Sequence, residues 1–202
     1  MYKYVFKRVF DIMLCLIALP FFALVFIVVA PLIKLSDGGS VFYNAERLGY
    51  RGRVFKMYKF RSMKQNAPDI RNADGSTFNG ENDPRVTRIG RLLRKTSLDE
   101  TPQILNVLKG DMSIIGPRAH LTTHYQGYDK LSRAERRRLA VRPGITGYNQ
   151  AYYRNSADLQ QKIKNDIYYV DNLSFMMDVK VLLKTVDTVL RRKNVYVGTD
   201  QK

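Results

Sequence analysis

The strongest pattern along the chain is an apolar run near its start. Ile12 to Ile33 is 22 residues without a charge, roughly 33 Å as a straight helix and enough to cross a bilayer core. Pro20 lies in its middle and Pro31 near its end. An interior proline removes a helical hydrogen bond and crowds the preceding turn. Basic residues flank both sides: Lys3, Lys7 and Arg8 before, then Lys34, Arg47, Arg51 and Arg53 after. A cleaved signal peptide would use this basic start, with Val28-Val29-Ala30 as its cleavage site. The run is long for that role, and Asp11 interrupts its beginning. A straight span would strand one basic flank outside, against the cytoplasmic bias of Lys and Arg. The favoured expectation is a re-entrant hairpin over residues 1–35, broken near Pro20, that enters and leaves by the cytosolic face. Both basic flanks then meet anionic headgroups. The opened backbone at the break needs partners in protein, because lipid supplies none.

Shorter patterns follow. Val41–Tyr43 and Val54–Phe60 read as strands separated by Gly49, Gly52 and basic residues. Residues 66–84 are rich in Asn, Asp, Gly and Pro and read as a loop. Thr87–Arg94 and Asp99–Leu108 read as helices split by Thr96-Ser97. Lys109–Arg118 is a turn, a short apolar run and Gly116-Pro117. Leu131–Ala140 is a very basic helix, Val141–Gly147 a Pro/Gly loop, and Gln160–Val170 a helix. From Phe175 to Arg192, apolar residues recur at 175, 176, 179, 182, 183, 186, 189 and 190. That helical stripe fits a core-facing helix with a solvated basic end, or an interfacial helix lying on a membrane. The expected fold class is α+β and mostly helical, with residues 36–202 as one domain on the cytosolic face.

Composition narrows the partners. The chain has 202 residues, 45% of them hydrophobic, with Lys+Arg 34 against Asp+Glu 18 and a net charge of +16. Such a chain buries a real core and seeks an anionic partner: nucleic acid, a membrane surface or a phosphorylated ligand. A single cysteine, Cys15, excludes an intrachain disulfide framework and a Cys-based zinc cluster. His120 and His124 stand at i, i+4 without a third nearby ligand and read as a surface pair rather than a metal site.

The candidate chemistry lies in Arg94-Lys95-Thr96-Ser97-Leu98-Asp99-Glu100-Thr101-Pro102. Ser97-x-x-Glu100 is a capping-box pattern, which would account for Glu100 structurally. It does not account for Arg91, Arg94 and Lys95 crowding the same turn. Arginines and a helix N-terminus hold phosphate oxygens, a carboxylate can attack phosphorus, and a divalent cation shields their repulsion. Neighbouring helical residues face different ways, so Asp99 and Glu100 are expected to divide the work as nucleophile and as metal or proton partner. Lys59 and Arg61 alternate on strand Val54–Phe60 and just beyond it. Arg118 follows a Gly-Pro turn that could aim it at a phosphate. Arg142-Pro143-Gly144-Ile145-Thr146-Gly147 is a rigid loop able to approach a ligand closely.

Taken together these residues resemble the bacterial sugar transferases, the monotopic polyprenyl-phosphate phosphoglycosyl transferases, almost end to end. The marks are Lys7-Arg8 with Asp11, Tyr58-Lys59-Phe60-Arg61-Ser62-Met63, Arg94 through Gln103, Asn106 through Ser113, Gly116-Pro117-Arg118, Arg142 through Gly147, and Asp166-Ile167-Tyr168-Tyr169. The resemblance implies a re-entrant membrane helix and a catalytic domain on the cytosolic face of the bacterial inner membrane. It implies transfer of a sugar 1-phosphate from a nucleotide sugar, usually a UDP-sugar, to polyprenyl phosphate, with UMP released before a covalent enzyme intermediate is resolved. This step initiates capsule, O-antigen or other glycoconjugate synthesis and feeds downstream glycosyltransferases. Asp99 takes the nucleophile's place, Glu100 the partner carboxylate's, and both are implied ligands of Mg²⁺. Lys59, Arg61, Arg94, Arg118, Arg142, Pro143 and Gly144 are implied to contact phosphates or shape the donor site.

Three departures bear on this. The break reads Leu19-Pro20 where several relatives have Ser-Pro, the turn reads Gly116-Pro117-Arg118-Ala119 where Gly-Pro-Arg-Pro is common, and Tyr148 through Tyr153 differs where sugar choice is expected to lie. Longer members carry extra N-terminal membrane helices, so a minimal catalytic form is expected here. The rival reading is a non-catalytic, membrane-anchored basic protein that binds anionic lipid or nucleic acid by charge. No helix-turn-helix, zinc-finger or RNA-binding signature supports the nucleic-acid branch. Two carboxylates inside a basic patch would repel an anionic ligand, which a pure binder gains nothing from.

Overall fold

The computed structural model describes residues 2–70, 78, 80, 82–122, 125–153 and 156–191. A π-helical turn, Tyr2–Phe6, leads into α1, Lys7–Asp37, which ends where Gly38 adopts φ +73 and returns its N–H to Lys34 O. Pro20 and Pro31 both lie inside α1. The expected division into two helices at Pro20 is not observed, because the lost hydrogen bond leaves the turns on either side intact.

The second expectation corrected at this helix concerns its basic start. Lys7 does not face headgroups: it is buried, and its Nζ donates to Asp178 Oδ2 at 2.7 Å. Arg8 donates to Val107 O at 2.5 Å and Leu108 O at 3.0 Å, two carbonyls in the last turn of the helix Gln103–Lys109. Asp11, also buried, accepts from Ser113 Oγ and from Ile114 N, both at 2.9 Å. Cys15, Val29 and Ile33 complete the buried positions of α1. Between them, none of residues 16–28 is fully buried: Phe22 and Val25 pack against the cores and Phe26 stacks on Phe42 and Phe60, while Ile17, Leu24 and Ile27 on the other side are strongly exposed. The helix is therefore anchored at both ends and apolar towards its surroundings in the middle.

Two small sheets carry the rest. β1, Phe42–Leu48, is longer than the expected Val41–Tyr43, and pairs antiparallel with β2, Val54–Phe60, in register from Phe42↔Phe60 to Leu48↔Val54. β4, His120–Leu121, adds to the other edge of β1. The second sheet is parallel. β3, Ser113–Ile115, pairs with β5, Gly144–Thr146, inside what the sequence presents as a Pro/Gly loop.

The helices are α2 (Arg88–Thr96), α3 (Gln103–Lys109), α4 (Arg133–Arg138), α5 (Tyr148–Tyr152), α6 (Leu159–Asp171) and α7 (Phe175–Leu190). One core gathers Cys15, Phe55, Met57, Ile104, Val107 and Met112 under β2, and a second gathers Val29, Ile33, Phe60 and Leu93. A third joins Ile115, Ala151, Tyr169 and Val181.

α7 faces the core with Val181, Met177 and Leu182 but leaves most of the expected apolar stripe outside it. Its buried residues are Asp178, Val181 and Thr188, while Phe175, Met176, Leu183, Val186, Val189 and Leu190 stay exposed. The buried seam is affordable because its polar groups are matched: Asp178 meets Lys7, Tyr2 and Tyr169, and Thr188 Oγ1 donates to Ala151 O at 2.7 Å.

Candidate active site

Asp99 and Glu100 sit on a single 3-10 turn, Leu98–Glu100, between α2 and α3. The capping box expected at Ser97 does not form. Ser97 adopts φ +59, ends α2 in a left-handed turn, and its side chain caps nothing at the start of the next turn. A capping box occurs instead at Ser132 and Glu135, at the head of α4. Glu100 is thereby freed for other partners.

Those partners are cations. Lys59 Nζ, from the end of β2, donates to Glu100 Oε1 at 2.5 Å. Arg118 Nη2, from the turn after β3, reaches the same oxygen at 3.2 Å. Burial opposes the charge on Glu100, but Lys59 and Arg118 outweigh it and hold its pKa down to about 2. Asp99 lies in the opposite condition. Among the described residues no hydrogen bond reaches its carboxylate. Burial, reinforced by the neighbouring Glu100 charge, raises its pKa to about 6 against the pull of Lys59, Arg94 and Arg118. At neutral pH the turn thus presents one carboxylate tied down by two cations and one unbonded, more basic carboxylate.

The surrounding elements explain how these groups meet. Asn106, fully buried on α3, accepts from Tyr58 N at 2.9 Å and donates to Lys56 O at 2.8 Å, locking α3 to the edge of β2 below Lys59. Arg94, on α2, donates its Nε to Ser62 Oγ at 2.9 Å and adds its charge beside Asp99. α2 itself rides on the chain after β2: a Cβ at Gly90 would lie 1.8 Å from Ser62 O. Arg91 and Lys95 are exposed on α2.

Arg118 is aimed by backbone. A Cβ at Gly144 would meet Gly116 N at 2.1 Å, and one at Gly147 would meet Gly116 O at 2.0 Å. The glycines expected to admit a ligand are used instead for contact between two strands of the protein. Pro143 and Gly144 are buried there, with Pro143 O accepting from Ser113 N at 2.8 Å.

Lys59, Arg94, Arg118, Asp99 and Glu100 therefore converge. Arg61 and Arg142 do not join them. Arg61 grips Asp37 with both terminal nitrogens, at 2.6 and 2.5 Å, and Ser40 O with its Nε, fixing the end of α1. Arg142 Nε donates to Gly110 O at 2.8 Å, beyond the end of α3. Asn106 and Asp166, which the sequence marks only as parts of longer motifs, contribute to the site although the sequence assigns them no role there. Asp166, buried and paired with Arg138, adds negative charge near Arg118. His120 lies against Arg138, while His124 lies outside the described residues.

The residues present fit a Mg²⁺ ion of the usual kind for phosphate chemistry, which takes one or two carboxylates and completes its shell with water and substrate phosphate. Asp99 and the second oxygen of Glu100 are the available donors, and among the described residues no larger acidic or histidine cluster competes.

The bacterial sugar transferase family model matches residues 2–192. The chain is 42% identical over 187 residues to the UDP-N-acetylgalactosamine-undecaprenyl-phosphate N-acetylgalactosaminephosphotransferase of Aeromonas hydrophila, covering 91% of this chain and 43% of that protein. It is 38% identical over 208 residues to the undecaprenyl-phosphate galactose phosphotransferase of Salmonella typhimurium, covering 94% of this chain and 41% of that one. It is 38% identical over 201 residues to the exopolysaccharide production protein ExoY of Rhizobium meliloti, covering 94% and 88%. The chain thus spans less than half of the first two relatives and most of the third. With the match running from the π-helical turn before α1 to the end of α7, this chain belongs to the bacterial sugar transferase family.

Proposed function

We propose that the chain is a phosphoglycosyl transferase that moves a sugar 1-phosphate from a UDP-sugar to undecaprenyl phosphate. The carrying observation is the division of labour on one turn: Glu100 is held by Lys59 and Arg118, while Asp99 is unbonded and raised in pKa. The Aeromonas and Salmonella relatives, each named for transfer to undecaprenyl phosphate, supply the acceptor by analogy.

In this reading an ionised Asp99 oxygen attacks the phosphorus that bears the sugar. The bond from that phosphorus to the oxygen bridging the two phosphates breaks, and UMP leaves with the electron pair. A polyprenyl phosphate oxygen then attacks the same phosphorus, the Asp99–phosphorus bond breaks, and the carboxylate is restored. Lys59, Arg94 and Arg118 hold phosphate oxygens and offset the charge that builds on them. Asp99 and Glu100 would hold a Mg²⁺ ion, which when bound would offset the repulsion between the diphosphate and the attacking carboxylate.

The same proposal places the protein on one face of the bacterial inner membrane. Both ends of α1 are fastened to one domain, through Lys7, Asp11 and Cys15 at one end and Val29, Ile33 and Asp37 at the other. A span would carry one end across the bilayer and away from its anchors. A helix that lies along the domain and turns only its exposed side, with Ile17, Leu24, Ile27 and Val28, into lipid keeps both. Phe175, an exposed apolar residue at the start of α7, meets Tyr2 and Phe10 edge-on around the start of α1.

Purified protein given Mg²⁺, undecaprenyl phosphate and a panel of UDP-sugars is expected to release UMP, and Asp99→Asn is expected not to. Equal release by both would overturn the assignment of Asp99. Silence from the folded wild-type chain across all nucleotide sugars would favour the charge-driven binder. For the membrane path, a cysteine at Ser40 and one at Lys3 are expected to be labelled from the same side.

A further inference from the structure

The three polar side chains at the start of α1 are turned into the protein, and one of them leads to the candidate active site. We propose that Asp11 is a positioning residue that sets Arg118 against Glu100 by holding the outer edge of β3. This rests on the transfer reading above and adds a role for the membrane helix in it.

β3 has one strand neighbour, β5. Along that inner edge Ser113 N donates to Pro143 O at 2.8 Å, Gly116 N to Thr146 O at 2.8 Å, and Gly144 N to Pro117 O at 2.9 Å. The outer edge would be left open, as at any sheet edge. Side chains close it. Ile114 N and Ser113 Oγ donate to Asp11 Oδ1, both at 2.9 Å, and Ile115 O accepts from Tyr169 OH at 3.1 Å. Asp11 therefore stands where a third strand would supply an acceptor. It is 2% exposed and Ser113 1%, so water offers no substitute.

Arg118 follows at once. The segment 113–117 is bonded on the β5 side to its end, and Gly116 has no slack, since a Cβ there would lie 2.5 Å from Arg142 O. The Arg118 side chain is 56% exposed. Its head is placed by the backbone that carries it and by Glu100, and by little else. A displaced β3 displaces that guanidinium, and the charge–charge energy at a phosphate falls with distance.

The test is a double-mutant cycle on the full-length chain in detergent or lipid nanodiscs, read as UMP release per folded enzyme. The variants are Asp11→Asn, Arg118→Lys and the pair. Asp11→Asn keeps the side-chain shape and weakens the acceptor. It is expected to lower kcat/KM about tenfold beside Arg118, and less than about twofold beside Lys at that position, because the group it positions has gone. Equal losses in the two backgrounds, or no loss in the first, would overturn the proposal. Should Asp11→Asn fail to fold, Ser113→Ala removes a milder part of the same contact, and the same dependence on Arg118 is expected. A folded wild-type chain that releases no UMP overturns the transfer reading and this inference together, whereas an active wild type with additive losses overturns this inference alone.

Discussion

Two pairs of carboxylates in this molecule sit beside cations, and they are treated in opposite ways. Asp11 and Asp178, where α1 meets β3 and α7, are each bonded by neighbouring elements. Asp178 accepts from Tyr169 on one oxygen and from Lys7 and Tyr2 on the other, and Asp11 accepts from Ser113 and Ile114. Asp99 and Glu100 are divided, with Glu100 bonded by Lys59 and Arg118 and Asp99 bonded by nothing described. The difference separates scaffold from chemistry. A buried carboxylate bonded by groups from several elements holds those elements together, whereas one held close to charge but left unbonded keeps its lone pairs for an incoming group.

The comparison can be broken most sharply at Asp99. Asp99→Asn is expected to lower turnover by about 1000-fold or more. The fold disfavours the charge on Asp99, which costs stability as pH rises through its raised pKa. Removing that charge should therefore leave Tm at neutral pH unchanged or higher by a few degrees. A fall of Tm with intact turnover would exchange the two roles. Asp178→Ala should do the reverse. It strands Lys7 in a buried site, and chemical denaturation should show a loss of about 3–5 kcal/mol.

A pH series sharpens the comparison further. Asp99 must be ionised to attack, so kcat/KM should fall about tenfold per unit as pH drops below about 6. A limb centred near the ordinary 3.8 would show that burial does not govern the group. The smallest effect concerns His120. Burial, with Arg138 beside it, lowers its pKa from 6.5 to about 4. The folded state thus resists its protonation, so its stabilising contribution is present above pH 6.5 and is lost as pH falls towards 4. His120→Gln should flatten the decline of Tm across that window by a few degrees, as thermal melts at several pH values would show.

What the sequence makes legible divides along the same line. Local patterns read well. β2 occupies the expected Val54–Phe60, α2 and α6 lie within two residues of their expected ends, and the Asp99-Glu100 pair stands out from its basic surroundings. Partnerships across long separations do not read. Nothing near Arg61 announces Asp37, nothing near Arg142 announces Gly110 O, and nothing near Lys7 announces Asp178. The stripe on α7 misleads for the same reason. Its apolar side would claim the core by periodicity, but the core side is set by Asp178 and Thr188, whose partners lie far along the chain. The capping pattern at Ser97 fails because the chain turns left-handed there, whereas the equivalent pattern at Ser132 succeeds.

The bond from Lys7 to Asp178 also sets a schedule. The two residues are 171 positions apart, so at 5–20 residues per second a ribosome needs roughly 10–30 s to deliver the second after the first. Throughout that interval the apolar helix has left the ribosome with its ammonium group still lacking its final counter-ion. α1 is made long before α7, so the bond that locks its start waits for a partner 171 residues further along the chain.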